Sequence, residues 1–155
     1  MLGFRSLACL LGCVAIAAGP ADARPRPGGR AATPASQGQQ LRQDILDEYR
    51  QMKASGAFAS DTFGTDISSV VQHDIKAGLE FSRAEEILRQ AGFTVGPRPG
   101  LTAEGGEDRY DVYATSATVV PNEPRVRVRV GLRPDSPADY QEVASVRGWI
   151  LVLSQ

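Results

Sequence analysis

The sequence predicts an α+β domain, with two or three helices packed on one face of a three-stranded antiparallel β-meander. Three observations carry that prediction. Apolar residues recur at spacings of three and four up to about residue 93. Arg125-Val126-Arg127-Val128-Arg129-Val130 then alternates strictly, as a half-buried strand does. The last stretch, Val143 to Leu153, is rich in β-branched residues. Helices followed by consecutive strands is the α+β order, with the helices gathered on one side of the sheet.

The first helix is expected over Gln39–Ser55, where Leu41, Ile45, Leu46, Tyr49 and Met52 form a narrow apolar stripe. Gly56 stands where a C-terminal cap belongs. Residues 57–64 read as a loop, after which Thr65 or Asp66 can cap a short helix turning Ile67, Val70, Val71 and Ile75 inward. Ser82-Arg83-Ala84-Glu85 has the form of a capping box, opening a helix that runs to Ala91 and stops at Gly92. Phe93 can fold back on that helix end. Residues 94–107 are turn-forming. Strands follow over 108–120, around Arg125–Val130 and over 143–153. Their links are Pro121–Pro124, short enough for a hairpin, and a longer polar loop from Pro134 to about Glu142.

Ahead of the domain, residues 1–23 read as an export signal. Met1–Arg5 is a short positive region, Ser6–Gly19 is apolar, Pro20 breaks the run, and Ala21-Asp22-Ala23 has the small-x-small form of a cleavage site. Cleavage after Ala23 leaves Arg24 as the first mature residue, in the periplasm or outside the cell. The apolar run is shorter than the about 20 residues a spanning helix needs. A second reading stays open: Leu10-Leu11-Gly12-Cys13 resembles a lipobox, which would lipidate Cys13 and make an outer-membrane lipoprotein. Residues 24–38, rich in Pro, Gly, Ala and Ser, read as a disordered tether, leaving 39–155 as one domain.

The formal net charge is −1, and loss of Arg5 with Asp22 leaves it unchanged, which argues against nucleic acid as a partner. Both cysteines, Cys9 and Cys13, fall in the export segment, so stability has to come from an apolar core rather than disulfides.

Ile75-Lys76-Ala77-Gly78-Leu79-Glu80-Phe81-Ser82 begins a familiar order: a short apolar turn, a glycine, a helix ending in glycine, then three antiparallel strands. From about Asp66 to Leu153 this order resembles the SmpA/OmlA (BamE-like) envelope domain and the related fold of β-lactamase inhibitor proteins. A last strand such as Val146-Arg147-Gly148-Trp149-Ile150 belongs to the same resemblance. It implies an envelope protein that binds another envelope protein.

Candidate chemistry is sparse. His73 is the one histidine, followed by Asp74, and Ser69 lies about one helical turn away, next to Ser68. No nucleophile-elbow motif surrounds those serines, and exposed helical neighbours are the favoured reading. One histidine without a mature cysteine gives no zinc pattern, and neither a metal nor a cofactor is expected. Glu104, Glu107, Asp108 and Asp111 do not have calcium-loop spacing and read as a solvated loop. Gly96, Gly100, Gly105 and Gly106 lack the Lys-Ser/Thr ending of a phosphate loop.

Arg125, Arg127 and Arg129 share one face of their strand, because alternate residues point the same way, and Arg127 and Arg129 are the binding candidates. Trp149 and Arg147 join them if the neighbouring strand points the same way, and alternation leaves Trp149 open between solvent and core. Arg and Trp are frequent binding hot spots. The favoured reading of the arginine row by itself is a solvent-facing sheet whose arginines keep it soluble and block edge pairing. The sequence therefore leads to an exported, non-enzymatic binding or adaptor module using Arg127, Arg129 and Trp149. A secreted enzyme inhibitor inserting the loop 96–106 is the alternative, and a small hydrolase centred on His73 is a third.

Overall fold

The computed structural model describes residues 32–58, 64–106 and 108–153. The export segment with Cys13 and the Ala23–Arg24 cleavage site lies outside them, as do residues 24–31 of the expected tether. In chain order the elements are α1 (Pro34–Ser55), β1 (Thr65–Asp66), α2 (Ser68–Asp74), α3 (Phe81–Gln90), β2 (Thr94–Val95), β3 (Val112–Ser116), β4 (Val126–Ser136) and β5 (Asp139–Val152). The fold is α+β: one antiparallel sheet in the order β1-β5-β4-β3-β2 with the helices against it. The expected meander β3-β4-β5 forms its centre. The two-residue strands β1 and β2 extend it to five, β1 beside Trp149 and Ile150, β2 beside Ala114 and Thr115. Edges this short give little template for pairing with other chains. Among the described residues no helix is long and apolar enough to cross a membrane.

The first helix begins at Pro34 rather than Gln39, so residues 34–38 are not tether. Thr33 explains the earlier start: its Oγ1 accepts the Ser36 amide at 3.2 Å, and Pro34 takes the first turn, where no amide hydrogen is needed. Gly38, which reads as a flexible-segment glycine, is a packing residue. A Cβ there would stand 2.6 Å from Gln90 Cβ and 2.8 Å from both Ala91 N and Ile87 O, so its absence lets α1 close on α3. Alanine in place of glycine gains about 1 kcal/mol of helix propensity. Two of the three obstructing atoms are backbone and cannot yield, and overpacking costs about 1–3 kcal/mol. Gly38→Val, with a branched side chain and little propensity gain, should therefore lower stability by about 2–3 kcal/mol in chemical denaturation. An unchanged midpoint would contradict the close approach.

Leu41, Ile45, Tyr49 and Met52 are buried as expected, and Leu46 packs at the edge of the core. Gly56 closes α1 with φ +69°. At α2, Asp66 Oδ1 accepts the Ser68 amide at 2.7 Å, and Ile67, Val71 and Ile75 are buried. Gly148 lets α2 lie against β5, because a Cβ there would reach within 2.6 Å of Val71 Cγ2. The Ile67 amide donates to Gly148 O at 2.9 Å, and the Gly148 amide donates to Ser68 Oγ at 3.1 Å.

The capping box does not form. The helix starts at Phe81, placing Ser82 inside it, where its Oγ donates to Glu80 Oε1 at 2.8 Å. Glu85 instead turns into the structure and takes Arg98 on both oxygens at 2.8 and 3.1 Å. A charge-assisted bidentate pair is stronger than a reciprocal cap to a backbone amide. The helix end is as expected, with Gly92 at φ +91° and the Phe93 amide donating to Leu88 O at 3.0 Å.

The longer polar loop over 134–142 is also replaced. β4 and β5 continue to a tight turn, with Ser136 opposite Asp139 and Ala138 at φ +56°. The register shifts on either side of Pro134, and such an irregularity accommodates a residue without an amide hydrogen. The core lies on one face of the sheet: Val126, Val128, Val130 and Leu132 of β4 meet Leu41, Ile45, Val71, Phe81, Ile87 and Leu88 of the helices.

Candidate functional site

Because β4 buries Val126, Val128, Val130 and Leu132, the residues between them must face away from the helices. Those are Arg127, Arg129 and Gly131, and Arg133 continues the alternation past Leu132. Register extends the face. Arg129 stands opposite Thr115 on one side and Trp149 on the other, and Gly131 stands between Tyr113 and Arg147. The structure thus brings Arg129 and Trp149 together as cross-strand neighbours, with Arg127 one step along beside Leu151. Trp149 belongs to the open face, half-buried, and not to the core.

Two further aromatic and cationic contacts shape this face. The Arg129 guanidinium lies 3.8 Å from the centroid of Tyr113, and that of Arg147 lies 5.6 Å from Trp149. Each such contact contributes about 0.5–1 kcal/mol when exposed. Gly131 makes room for both rings, since a Cβ there would stand 3.1 Å from Tyr113 Cε1 and 3.6 Å from Trp149 Cζ3. The Tyr113 hydroxyl donates to Asp108 Oδ2 at 2.9 Å. That bond holds the Asp108 carboxyl below its ordinary range, while burial, and then Asp108, push the Tyr113 phenol above its own.

Asp111 organises the other end. Its side chain is 1% exposed, and it accepts Arg133 Nε at 2.8 Å and Arg147 Nη2 at 2.9 Å. It is therefore not part of a solvated acidic loop, although Glu104 and Asp108 are exposed; Glu107 lies outside the described residues. Arg127 donates through Nη1 to the carbonyls of Pro124 and Val126, at 2.8 and 3.0 Å. Among the described residues no carboxylate lies within ion-pair distance of Arg127 or Arg129. The face therefore carries two arginines already paired through a buried carboxylate and two that are not.

The sequence-predicted His73 lies apart, where α1 meets α2. Its Nδ1 is 3.5 Å from Asp44 Oδ2 and 4.0 Å from Asp74 Oδ1. Asp74 is no exposed neighbour: its side chain is 8% exposed, and burial followed by the nearby Asp44 charge pushes its carboxyl above the ordinary range. Ser69 is exposed, and among the described residues no hydrogen bond joins it to His73, while Ser68 Oγ serves the Gly148 amide. The loop 96–106 is tied at its base. Arg98 pairs with Glu85 and lies over Phe81 and Tyr140, and the Tyr140 hydroxyl donates to Pro99 O at 2.7 Å. Leu101, beyond those ties, is 76% exposed.

Tyr113, Gly131 and Arg133 are the face residues that sequence reasoning misses, and Asp111 is the one it misassigns to a solvated loop. Arg133 has the same parity as Arg127 and Arg129 and was within reach of that signal. Tyr113 enters only through strand register, and Asp111 through its ion pairs with Arg133 and Arg147. Comparison of the chain with protein-family models, with curated proteins and with solved structures finds no match.

Proposed function

We propose that this protein is an exported binding or adaptor module, without an enzymatic role, whose open sheet face captures an acidic surface of another envelope protein. The observation that carries the reading is the cross-strand pair Arg129 and Trp149 beside Tyr113, with no carboxylate of the described residues within ion-pair distance of Arg127 or Arg129. Arg, Tyr and Trp are the side chains most enriched at interface centres, where their apolar planes desolvate well and their polar atoms still find partners. The two arginines already anchored by Asp111 give a preorganised border. Guanidinium groups with no carboxylate at ion-pair distance favour one, which they bind bidentately. The compartment follows from the export segment read in residues 1–23, and the resemblance to SmpA/OmlA envelope domains agrees with it.

Arg127→Glu combined with Arg129→Glu should abolish capture of the partner from an envelope extract, a loss of at least about a hundredfold when like charges replace complementary ones. The circular-dichroism spectrum should not change, because neither side chain belongs to the core. Capture that survives the double reversal would refute the open face as the binding surface.

Leu101 favours one other reading. A large apolar side chain held out beyond the ties of Arg98 and Pro99 suits insertion into an enzyme cleft. Deleting residues 100–105 would end inhibition if the loop is the inhibitory element, whereas the sheet-face adaptor tolerates the deletion.

A further inference from the structure

We infer that Asp44, His73 and Asp74 form a binding site for one divalent first-row transition-metal ion, which clamps α1 to α2. The three side chains offer ligand atoms that all lie within 4.8 Å of one another. Imidazole with two carboxylates is a donor set that such ions take readily, whereas Mg2+ and Ca2+ prefer oxygen alone.

Asp74 supplies the independent observation. Its side chain is 8% exposed, and its Oδ2 is buried with no hydrogen-bond partner among the described residues. A buried carboxylate oxygen left unpaired is costly, and native structures rarely keep one without an ion, a water or a functional reason. Among the described residues no Lys or Arg lies within ion-pair distance of Asp74, and the His73 ring reaches only its other oxygen, Oδ1, at 4.0 Å. Asp44 makes the imbalance worse by placing a second carboxylate alongside.

The spacing is too wide for hydrogen-bonded partners; that of His73 with Asp44 is the spacing of two ligands, and Asp74 has to move inward to complete the set. A charge-assisted bond between imidazole and carboxylate would close to about 2.7–2.9 Å. His73 Nδ1 stops 3.5 Å from Asp44 Oδ2 and 4.0 Å from Asp74 Oδ1. Two ligand atoms each about 2.1 Å from a tetrahedral ion stand about 3.4 Å apart. Gln40 holds the other Asp44 oxygen, with Nε2 donating to Oδ1 at 2.6 Å, which leaves Oδ2 towards His73. Fixing a ligating carboxylate through its second oxygen is how outer partners orient a metal site. The His73 side chain is 73% exposed, so an ion has a path in from solvent. Such a clamp would do for this chain, which has no cysteine after Cys13, what a disulfide does in other exported domains.

The test uses the full chain, stripped with a chelator and returned to chelator-free buffer, with Zn2+ as probe and Mg2+ as control. The expected result is one Zn2+ bound per chain and a rise in Tm of roughly 10 °C at a hundredfold excess over the dissociation constant. Mg2+ should give no rise. His73→Ala removes only an exposed side chain, so the variant should fold with the Tm of the metal-free protein and lose the Zn2+ response. Asp74→Asn should lose the response too, and its metal-free form should melt at or above wild type, because the repulsion from Asp44 is gone. No Zn2+ response in the wild-type chain would overturn the site. So would a response of equal size in His73→Ala, which would place the ion elsewhere.

Discussion

Phe81→Ala should lower stability by about 3–5 kcal/mol, the largest single loss expected in this domain. The ring has no exposed surface and sits where three parts of the chain converge. It meets Tyr140 of β5 edge-on, at 5.1 Å between centroids, and Arg98 lies over it at 5.3 Å. Transfer of the buried side chain accounts for about 1.5–3 kcal/mol. The aromatic contact adds about 0.5–1.5 kcal/mol beyond area. The rest is the cavity, which cannot collapse because Tyr140 is fixed by its hydrogen bonds to Pro99 O and Tyr110 O. Urea denaturation reads this directly, and Leu101→Ala provides the contrast, with an exposed leucine whose removal should change stability by less than about 0.5 kcal/mol. A loss below about 1 kcal/mol for Phe81→Ala would contradict its place at the centre of the core.

Asp111→Ala should be the costliest change on the open face, at about 2–3 kcal/mol. The carboxylate is buried and takes two guanidinium groups, and hydrogen bonds to charged groups contribute about 1.5–3 kcal/mol in mutational series. The loss stays below that of a stranded buried charge, because Arg133 and Arg147 are about a third to two fifths exposed and can turn to water. Arg147→Ala should cost less, about 1 kcal/mol, since Arg133 would still pair with Asp111. The functional consequence is separable. With Asp111 gone, Arg147 loses its anchor beside Trp149, so partner capture should weaken even where the variant remains folded. Equal stability of Asp111→Ala and wild type would show that the buried pair does not hold the face together.

Periodicity made much of this architecture legible. Leu41, Ile45, Tyr49 and Met52 mark a helix because they share a face at 3.6 residues per turn, and the Arg-Val alternation marks β4 because a strand has period two. β1 and β2 were not legible, since two residues cannot display a period. Gly38 looked like linker because composition does not reveal that another helix lies 2.6 Å from its absent Cβ. The box-like Ser82–Glu85 pattern misled for a related reason: Arg98, thirteen residues on, offers Glu85 a stronger partner than the helix start does. At the candidate site, parity alone put Arg127 and Arg129 on one face, whereas Trp149 needed the register Arg129↔Trp149, which depends on the tight turn at residues 137–138. The convergence of Asp44 with His73 and Asp74 left no local trace, because it arises from helix packing across 29 positions.

Trp149 is the one tryptophan of the chain, so its emission reports on the open face and nothing else. The most direct test is a titration of the full chain with a glutamate-rich peptide at low ionic strength, following that emission, with a lysine-rich peptide as control. A saturable shift with the acidic peptide alone, weakened by salt and absent from the Arg127→Glu, Arg129→Glu variant, is the expected result. An emission that ignores the acidic peptide, or that responds equally in the charge-reversed variant, would contradict the face as a surface for acidic partners.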